Sequence, residues 1–242
     1  MKLSLVVPCY NEADNVKLFY EKVEDTFSEQ SFAYEYIFIN DGSRDQTYAN
    51  LKKLAEDHPT ANINVINFSR NFGKESAMYA GMKESVGDYT VIIDADLQQD
   101  PAYVLRMMQI LDEDDNLDSV AAFQEKRREG KVLRAFKSTF YHLINKISQV
   151  EFVDGASDFR LLSRPMVNAI LDLPENNRFS KGIFGWIGFR TCWLPYKNIE
   201  RVAGETKWNF WKLFKYAVSG IINFSQVPLT IASWFGTTMT GF

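Results

Sequence analysis

Cysteine and histidine are scarce in this chain, with two of each in 242 residues. Cys9 closes an apolar run and Cys192 stands beside Trp193, so both read as small buried thiols of a reducing compartment. Nothing in the sequence supports a disulfide between them. His58 and His142 lack metal-ligand spacing, which argues against a zinc site. No Gly-x-Gly-x-x-Gly and no Gly-x-x-x-x-Gly-Lys-Ser/Thr follows any strand-like run, which argues against a classical dinucleotide fold and a P-loop nucleotidase. There is no internal repeat, no low-complexity linker and no signal peptide; Met1–Pro8 reads instead as a first core strand. A formal charge of −4 argues against a general nucleic-acid binder, although local basic clusters exist.

What is present is ample apolar material, 46% of residues, enough for one large α/β domain or two small ones. Strand and helix patterns alternate through the first half. Leu3–Pro8, Tyr36–Ile39, Ile63–Phe68, Tyr89–Asp94 and Ser119–Phe123 read as strands. Between them, helical spacing covers 13–27, with Val16, Phe19, Val23 and Phe27 on one face. Further helices are expected to about Glu56 after a cap at Asp45, over 74–85 with Gly87 near the stop, and from Pro101 onward. Such alternation predicts a mostly parallel sheet covered on both faces. Ligands of such sheets bind at the carboxyl ends of the strands. The polar groups fall there: Tyr10-Asn11-Glu12, Asp41, Arg70, then Asp94 and Asp96.

The richest stretch is Val91-Ile92-Ile93-Asp94-Ala95-Asp96-Leu97-Gln98. Strand alternation would point Asp94, Asp96 and Gln98 the same way. Three oxygen-bearing groups at a strand end suit a hard cation, Mg²⁺ or Mn²⁺, which keeps positions open for substrate phosphates. An isolated Asp-x-Asp is also an ordinary solvated loop, so the rest of the chain has to decide.

The second half changes character. Residues 126–137 hold six basic residues against one acid, and Val132, Phe136, Phe140, Leu143 and Ile147 make one apolar stripe to about Ser148. Residues 207–224 repeat the pattern with Trp208, Trp211, Phe214, Val218, Ile221 and Ile222, and with Lys207, Lys212 and Lys215 elsewhere. Tryptophan with lysine on one helix fits a membrane interface. The last charged residue is Lys215, and the uncharged stretch beyond it is broken by Ser, Thr, Asn and Gln, so it is no clean span of about 20 apolar residues. The part after Pro228 reads as the start of a membrane element that stops early.

Seven motifs run in order along almost the whole chain: Val7–Glu12, Asn40–Thr47, Ser69–Glu75, Asp94–Gln98, Asp158–Leu162, Arg178–Gly182, and Arg201 through Gly204–Trp208. Together they resemble the family 2 glycosyltransferases, and within them the polyprenyl-phosphate enzymes such as dolichyl-phosphate mannosyltransferases and bactoprenol glucosyltransferases. The resemblance implies a single GT-A, Rossmann-like α/β domain over 1–204, with a donor half 1–124 and an acceptor half 125–204. Amphipathic interfacial helices and the start of a membrane segment follow over 205–242. It implies a nucleotide-diphospho-sugar donor, a polyprenyl phosphate acceptor, a place at the cytoplasmic face of the cell membrane, and either a monomer or a homo-oligomer.

The resemblance also assigns residues. Pro8, Tyr10, Asn11, Glu12 and Asp41 would line the nucleotide pocket, although Asp-Gly is equally a turn signal. Arg70, Lys74, Asp94, Arg201 and Lys207 would join them on the donor, with Arg201 and Lys207 at its diphosphate. Asp94, Asp96 and Gln98 would hold Mg²⁺ or Mn²⁺, stabilising the leaving nucleotide without a proton donor. Asp158 would be the catalytic carboxylate, orienting an acceptor that is already an anion; read alone, it is also a natural ion-pair partner for Arg160. Arg128, Arg134 and Ser138 would meet the acceptor phosphate. Two motifs depart from the commoner pattern: Gln98-Gln99-Asp100-Pro101 has an extra polar residue, and Ala156-Ser157-Asp158 replaces Gly-Asp. A polysaccharide-extending member of the same family is the alternative, but its Gln-x-x-Arg-Trp motif is missing. A nucleotide-sugar-binding scaffold without turnover is a third reading, opposed by the complete set of charged residues.

Overall fold

The computed structural model describes residues 1–124, 155–173, 178–197, 233 and 236–240. The chain forms two compact units: Met1–Glu125, Ala156–Glu175 and Phe189–Glu205 make one, and Lys126–Gly155, Asn176–Gly188 and Thr206–Phe242 the other. The basic stripe over 126–148 and the Trp-rich segment 207–224 lie outside the described residues. In the second unit the described part is chiefly the short helix Ser180–Trp186. No helix among the described residues is long and apolar enough to cross a membrane.

The first unit is a seven-stranded sheet between helices. Its strands are β1 (Lys2–Cys9), β2 (Ala33–Asn40), β3 (Ile63–Asn67), β4 (Tyr89–Ile92), β5 (Ser119–Gln124), β6 (Ala156–Ser163) and β7 (Thr191–Tyr196). Its helices are α1 (Val16–Phe27), α2 (Thr47–Asp57), α3 (Lys74–Glu84), α4 (Ala102–Glu113) and α5 (Arg164–Leu171). The strand order is β3-β2-β1-β4-β6-β5-β7. All neighbours are parallel except β6, which runs antiparallel to both β4 and β5. The predicted mostly parallel sheet is therefore present, with one reversed strand that the alternation pattern did not announce.

Continuous apolar strands are buried on both faces, as a doubly covered sheet requires. One face carries Leu3, Leu5, Val7, Phe38, Val91, Phe159 and Leu161 against α1, α2 and α4. Helix α3 packs on β1 and β2 from the other side. Gly81 allows that approach: a Cβ there would lie 2.3 Å from Val6 and 2.8 Å from Ile39 side-chain carbons.

The amino ends of the parallel strands are closed by polar side chains with full complements of partners. Glu35 is buried and accepts hydrogen bonds from Lys2 Nζ (2.7 Å), Ser4 Oγ (2.6 Å), the Val86 N–H (3.1 Å) and Asn62 Nδ2 (3.3 Å). Burial pushes its pKa up, but these donors prevail and hold it below the usual carboxylate value. Arg164 donates to the Gly87 carbonyl, to Ser85 Oγ and to Thr90 Oγ1. α3 ends at Glu84 with Ser85 as its cap, so Gly87 lies near the stop as expected; its missing Cβ makes room for the Lys2 and Tyr89 carbonyls and the Ser4 amide.

Two consequences are measurable. Gly81→Leu should cost about 2–3 kcal/mol by overpacking the α3–sheet contact, read as a lower urea midpoint. Glu35→Gln should cost about 2 kcal/mol near neutral pH by weakening four buried acceptor contacts. Because the folded pKa is depressed, the wild-type advantage is fully present above the unfolded carboxylate pKa and is lost as pH falls through the folded one. The difference between the two proteins should therefore shrink on acidification in denaturation curves taken across pH.

Candidate active site

At the other end of the sheet the chain leaves each strand through a polar loop, and those loops are tied to one another. After β1, Asn11 takes a left-handed backbone (φ 53). Its N–H donates to Ser43 Oγ (3.0 Å) and its Oδ1 accepts from the Arg44 N–H (2.9 Å). The Glu12 N–H donates to Thr47 Oγ1 (2.8 Å), and the Ala13 N–H to Asp45 Oδ2 (3.2 Å). Asp45 also accepts from the Thr47 N–H and hydroxyl, so it serves the start of α2 from just outside the helix. Glu12 Oε2 accepts from Asn15 Nδ2 at 2.7 Å.

The loop after β2 then grips the loop after β3. Asp41 is 3% exposed, and its carboxylate accepts the N–H groups of Phe72 (2.7 Å) and Gly73 (3.0 Å). Burial raises its pKa against the opposing pull of those two amides. Gly42 makes the grip sterically allowed: its φ is +59, and a Cβ would fall 2.2 Å from the Arg70 carbonyl carbon and 2.4 Å from the Asn71 nitrogen. Arg70 lies exposed with its guanidinium 4.1 Å over the ring of Phe72. The Asp41 grip sets where α3 begins, and Lys74 is the first residue of α3.

Lys74 joins the two halves of the site. Its ammonium lies 2.7 Å from Asp94 Oδ1 and 2.9 Å from Asp158 Oδ2. Burial works to lower its pKa, yet the Asp158 and Asp94 carboxylates outweigh burial and raise it, so Lys74 is a fixed cation. The reversal of β6 brings the carboxylates together. Ile92 pairs with Arg160 in the antiparallel ladder; two residues beyond Ile92 is Asp94, and two before Arg160 is Asp158. Both sit on the sheet face opposite Val91 and Leu161.

The turn after β4 differs from simple alternation. Ladder pairing of β4 ends at Ile92, Leu97 takes φ 58, and Asp96 Oδ1 accepts the Gln98 N–H at 3.1 Å. Asp94 continues directly from the strand, whereas Asp96 is already in the turn and Gln98 in the bend after it, with Asp96 accepting the Gln98 amide. The side chain that meets Asp94 is that of Gln99, through the Asp94 N–H (3.0 Å) and Oδ2 (3.4 Å). Sequence reasoning passed over Gln99 as an extra polar residue; the one available signal was a second glutamine in a short acidic loop. It also missed Ser157 and Tyr196, which surround Gln99. The strands carrying them, β6 and β7, were not read from the pattern.

Among the described residues no three His, Cys, Asp or Glu side chains form a metal cluster by themselves. Asp94 and Asp96 nevertheless supply hard oxygen donors two residues apart, and Asp94 shares the Lys74 ammonium with Asp158. This set fits a Mg²⁺-type ion, which takes one or two carboxylates and fills its remaining positions with water and phosphate oxygens. Pro8, Tyr10 and Glu12 are half-buried at the end of β1. Arg128, Arg134, Ser138, Arg201 and Lys207 lie outside the described residues. Of the two cysteines, Cys9 is buried, Cys192 is half-buried, and no disulfide joins them.

Gly42→Ala should lose about 2 kcal/mol or more, because it adds a backbone collision to a disfavoured φ. Gly73→Ala, with φ +96 but open space around its Cβ, should lose less. Paired urea titrations measure the difference.

The fold is that of the GT-A glycosyltransferases. A mannosyltransferase, PcManGT from Pyrobaculum calidifontis, solved in complex with GDP-Man and Mn²⁺, superposes with a TM-score of 0.60 at 20% identity, over 88% of this chain and 60% of that one. A prophage bactoprenol glucosyl transferase homolog of Escherichia coli K12 is 41% identical over 98% of this chain and 76% of its own length. The bactoprenol glucosyl transferase of Shigella phage SfX is 39% identical with the same coverage. The model of glycosyl transferase family 2 matches residues 4–171, which takes in the strand-end loops, Lys74 and both bridged carboxylates. The chain is a glycosyltransferase and belongs to glycosyl transferase family 2.

Proposed function

We propose that this protein transfers a sugar from a nucleotide-diphospho-sugar to a polyprenyl phosphate at the cytoplasmic face of the cell membrane. The observation that carries the site is the Asp94–Lys74–Asp158 bridge at the carboxyl ends of the parallel strands. The lipid acceptor rests on the relatives named for bactoprenol, which share about two residues in five with nearly all of this chain. It rests also on the basic and Trp-rich stretches over 126–148 and 207–224.

In this reading Asp94 and Asp96, with Gln98, hold Mg²⁺ or Mn²⁺. Bound there, the ion neutralises charge on the donor diphosphate and so stabilises the departing nucleotide. Pro8, Tyr10, Asn11, Glu12, Asp41 and Arg70 form the nucleotide side. Asp41 contributes from behind, because its carboxylate is already committed to Phe72 and Gly73. Arg201 and Lys207 add positive charge at the diphosphate, and Arg128, Arg134 and Ser138 receive the acceptor phosphate. An oxygen of that phosphate bonds to the anomeric carbon as the bond to the nucleoside diphosphate breaks. The electron pair leaves with the diphosphate, and the single displacement inverts the anomeric centre. No proton must be taken from an acceptor that is already ionised, so Asp158 orients it more than it deprotonates it. Lys74 holds the Asp158 carboxylate turned toward Asp94.

Incubation with Mg²⁺ or Mn²⁺, a short-chain polyprenyl phosphate and single nucleotide sugars should give a metal-dependent mass gain of one hexose or hexosamine on the lipid. No lipid product, with nucleotide released only when a glycan hydroxyl is offered, would transfer the protein to the polysaccharide-extending class. Asp96→Ala should lower turnover by about 10²–10³-fold with a melting temperature near wild type. Lys74→Met should lower kcat more than it raises KM for the donor; a change confined to donor KM would make Lys74 a simple phosphate contact.

A further inference from the structure

Gln99 has no part in the transfer as drawn, yet it is 5% exposed and sits against both halves of the site. Its Oε1 accepts the Asp94 N–H at 3.0 Å, while its Nε2 faces Asp94 Oδ2 and Ser157 Oγ, each at 3.4 Å. A backbone N–H can only donate, so the amide has one orientation: oxygen to the Asp94 backbone, nitrogen to the carboxylate and Ser157. Ser157 immediately precedes Asp158, and its Oγ also accepts the Phe159 N–H at 3.1 Å. From β7 the buried Tyr196 hydroxyl hydrogen-bonds with both Ser157 and Gln99, while its ring packs edge-on against Phe159 and Tyr103.

The bond to the Asp94 N–H replaces a missing ladder bond. Ile93 still donates to Val6, but β4 leaves the sheet there, so the Asp94 amide takes its partner from a side chain five residues on. The height of the Asp94 carboxylate above the sheet is therefore set by Gln99, and Gln99 is in turn held by the residue beside Asp158. The two positions where the motifs depart from the commoner pattern are in contact with each other.

We propose that Gln99, acting with Ser157, is a positioning residue that sets the Asp94 carboxylate relative to Asp158 and thereby the affinity of the site for its cation and the rate of transfer. This rests on the reading of Asp94 as a cation ligand and Asp158 as the acceptor-side carboxylate.

The test compares wild type, Gln99→Met, Ser157→Ala and the double variant in the full chain. Four readouts are taken: hydrogen exchange of the 93–99 segment without metal, Mn²⁺ affinity by electron paramagnetic resonance, kcat and KM with the lipid acceptor, and melting temperature. Gln99→Met should speed exchange at Asp94, weaken Mn²⁺ binding by about 10-fold and lower kcat while leaving KM for the lipid phosphate near wild type. Adding Ser157→Ala to Gln99→Met should change little more, because both act through one network. If Gln99→Met keeps wild-type Mn²⁺ affinity and kcat and loses only melting temperature, Gln99 is a packing residue and the inference falls alone. If the wild type neither binds Mn²⁺ nor makes lipid product, the proposed reaction falls and takes the positioning role with it. Should Gln99→Met not fold, Ser157→Ala tests the same network by removing the hydroxyl that faces Gln99 Nε2: it should weaken Mn²⁺ binding and lower kcat in the same direction by a smaller factor, and wild-type values for both would overturn the positioning role.

Discussion

Two carboxylates brought face to face repel, and the site depends on the cation that lets them stay there. Reversal of β6 inside an otherwise parallel sheet sets Asp158 opposite Asp94. Such a pair at close range is relieved by a positive charge between its members. Lys74 supplies that charge, 2.7 Å from one and 2.9 Å from the other. Lys74 is in place because α3 starts there, and α3 starts there because Asp41 holds the preceding two amides while Gly42 lets the backbones meet. The geometry of the site thus traces back through loops that never touch the reacting groups.

Those loops account for much of the motif content of the chain. Asn11, Ser43, Asp45 and Thr47 satisfy one another's hydrogen bonds where β1 and β2 end. Glu12 does so with Asn15, and Asp41 with Phe72 and Gly73. A strand-end loop has backbone donors that neither ladder nor helix can absorb, and short polar side chains are the available partners. A motif residue in such a loop serves its neighbours as well, as the buried Asp41 does for the Phe72 and Gly73 amides.

The first five strands and four helices were legible because buried parallel strands are short apolar runs and the helices between them repeat their apolar residues on one face. The errors fall where that logic lapses. β4 ends at Ile92 rather than Asp94, because alternation along the sequence persists beyond the last ladder bond. β6 mixes Asp158 and Arg160 with apolar residues, so its pattern resembles a charged loop, and nothing local states that it runs antiparallel. Asp94 and Asp96 were singled out by residue type at the end of an apolar strand, whereas Asp158 came only through the resemblance, because its strand was not read from the pattern. Gln99 was passed over because its role lies in contacts to a residue in β6 and another in β7.

The two ends of the sheet spend their polar groups differently. At the amino end Glu35 has four donors and Arg164 three acceptors, and both are pinned within the fold. Such satisfied networks add rigidity and leave nothing over for a ligand. At the carboxyl end Asp94 and Asp158 share the single ammonium of Lys74, so negative charge is in excess among these described groups. That excess costs stability, because like charges held together raise the energy of the folded chain. A cation that binds only the folded state removes the penalty and is held more tightly for it.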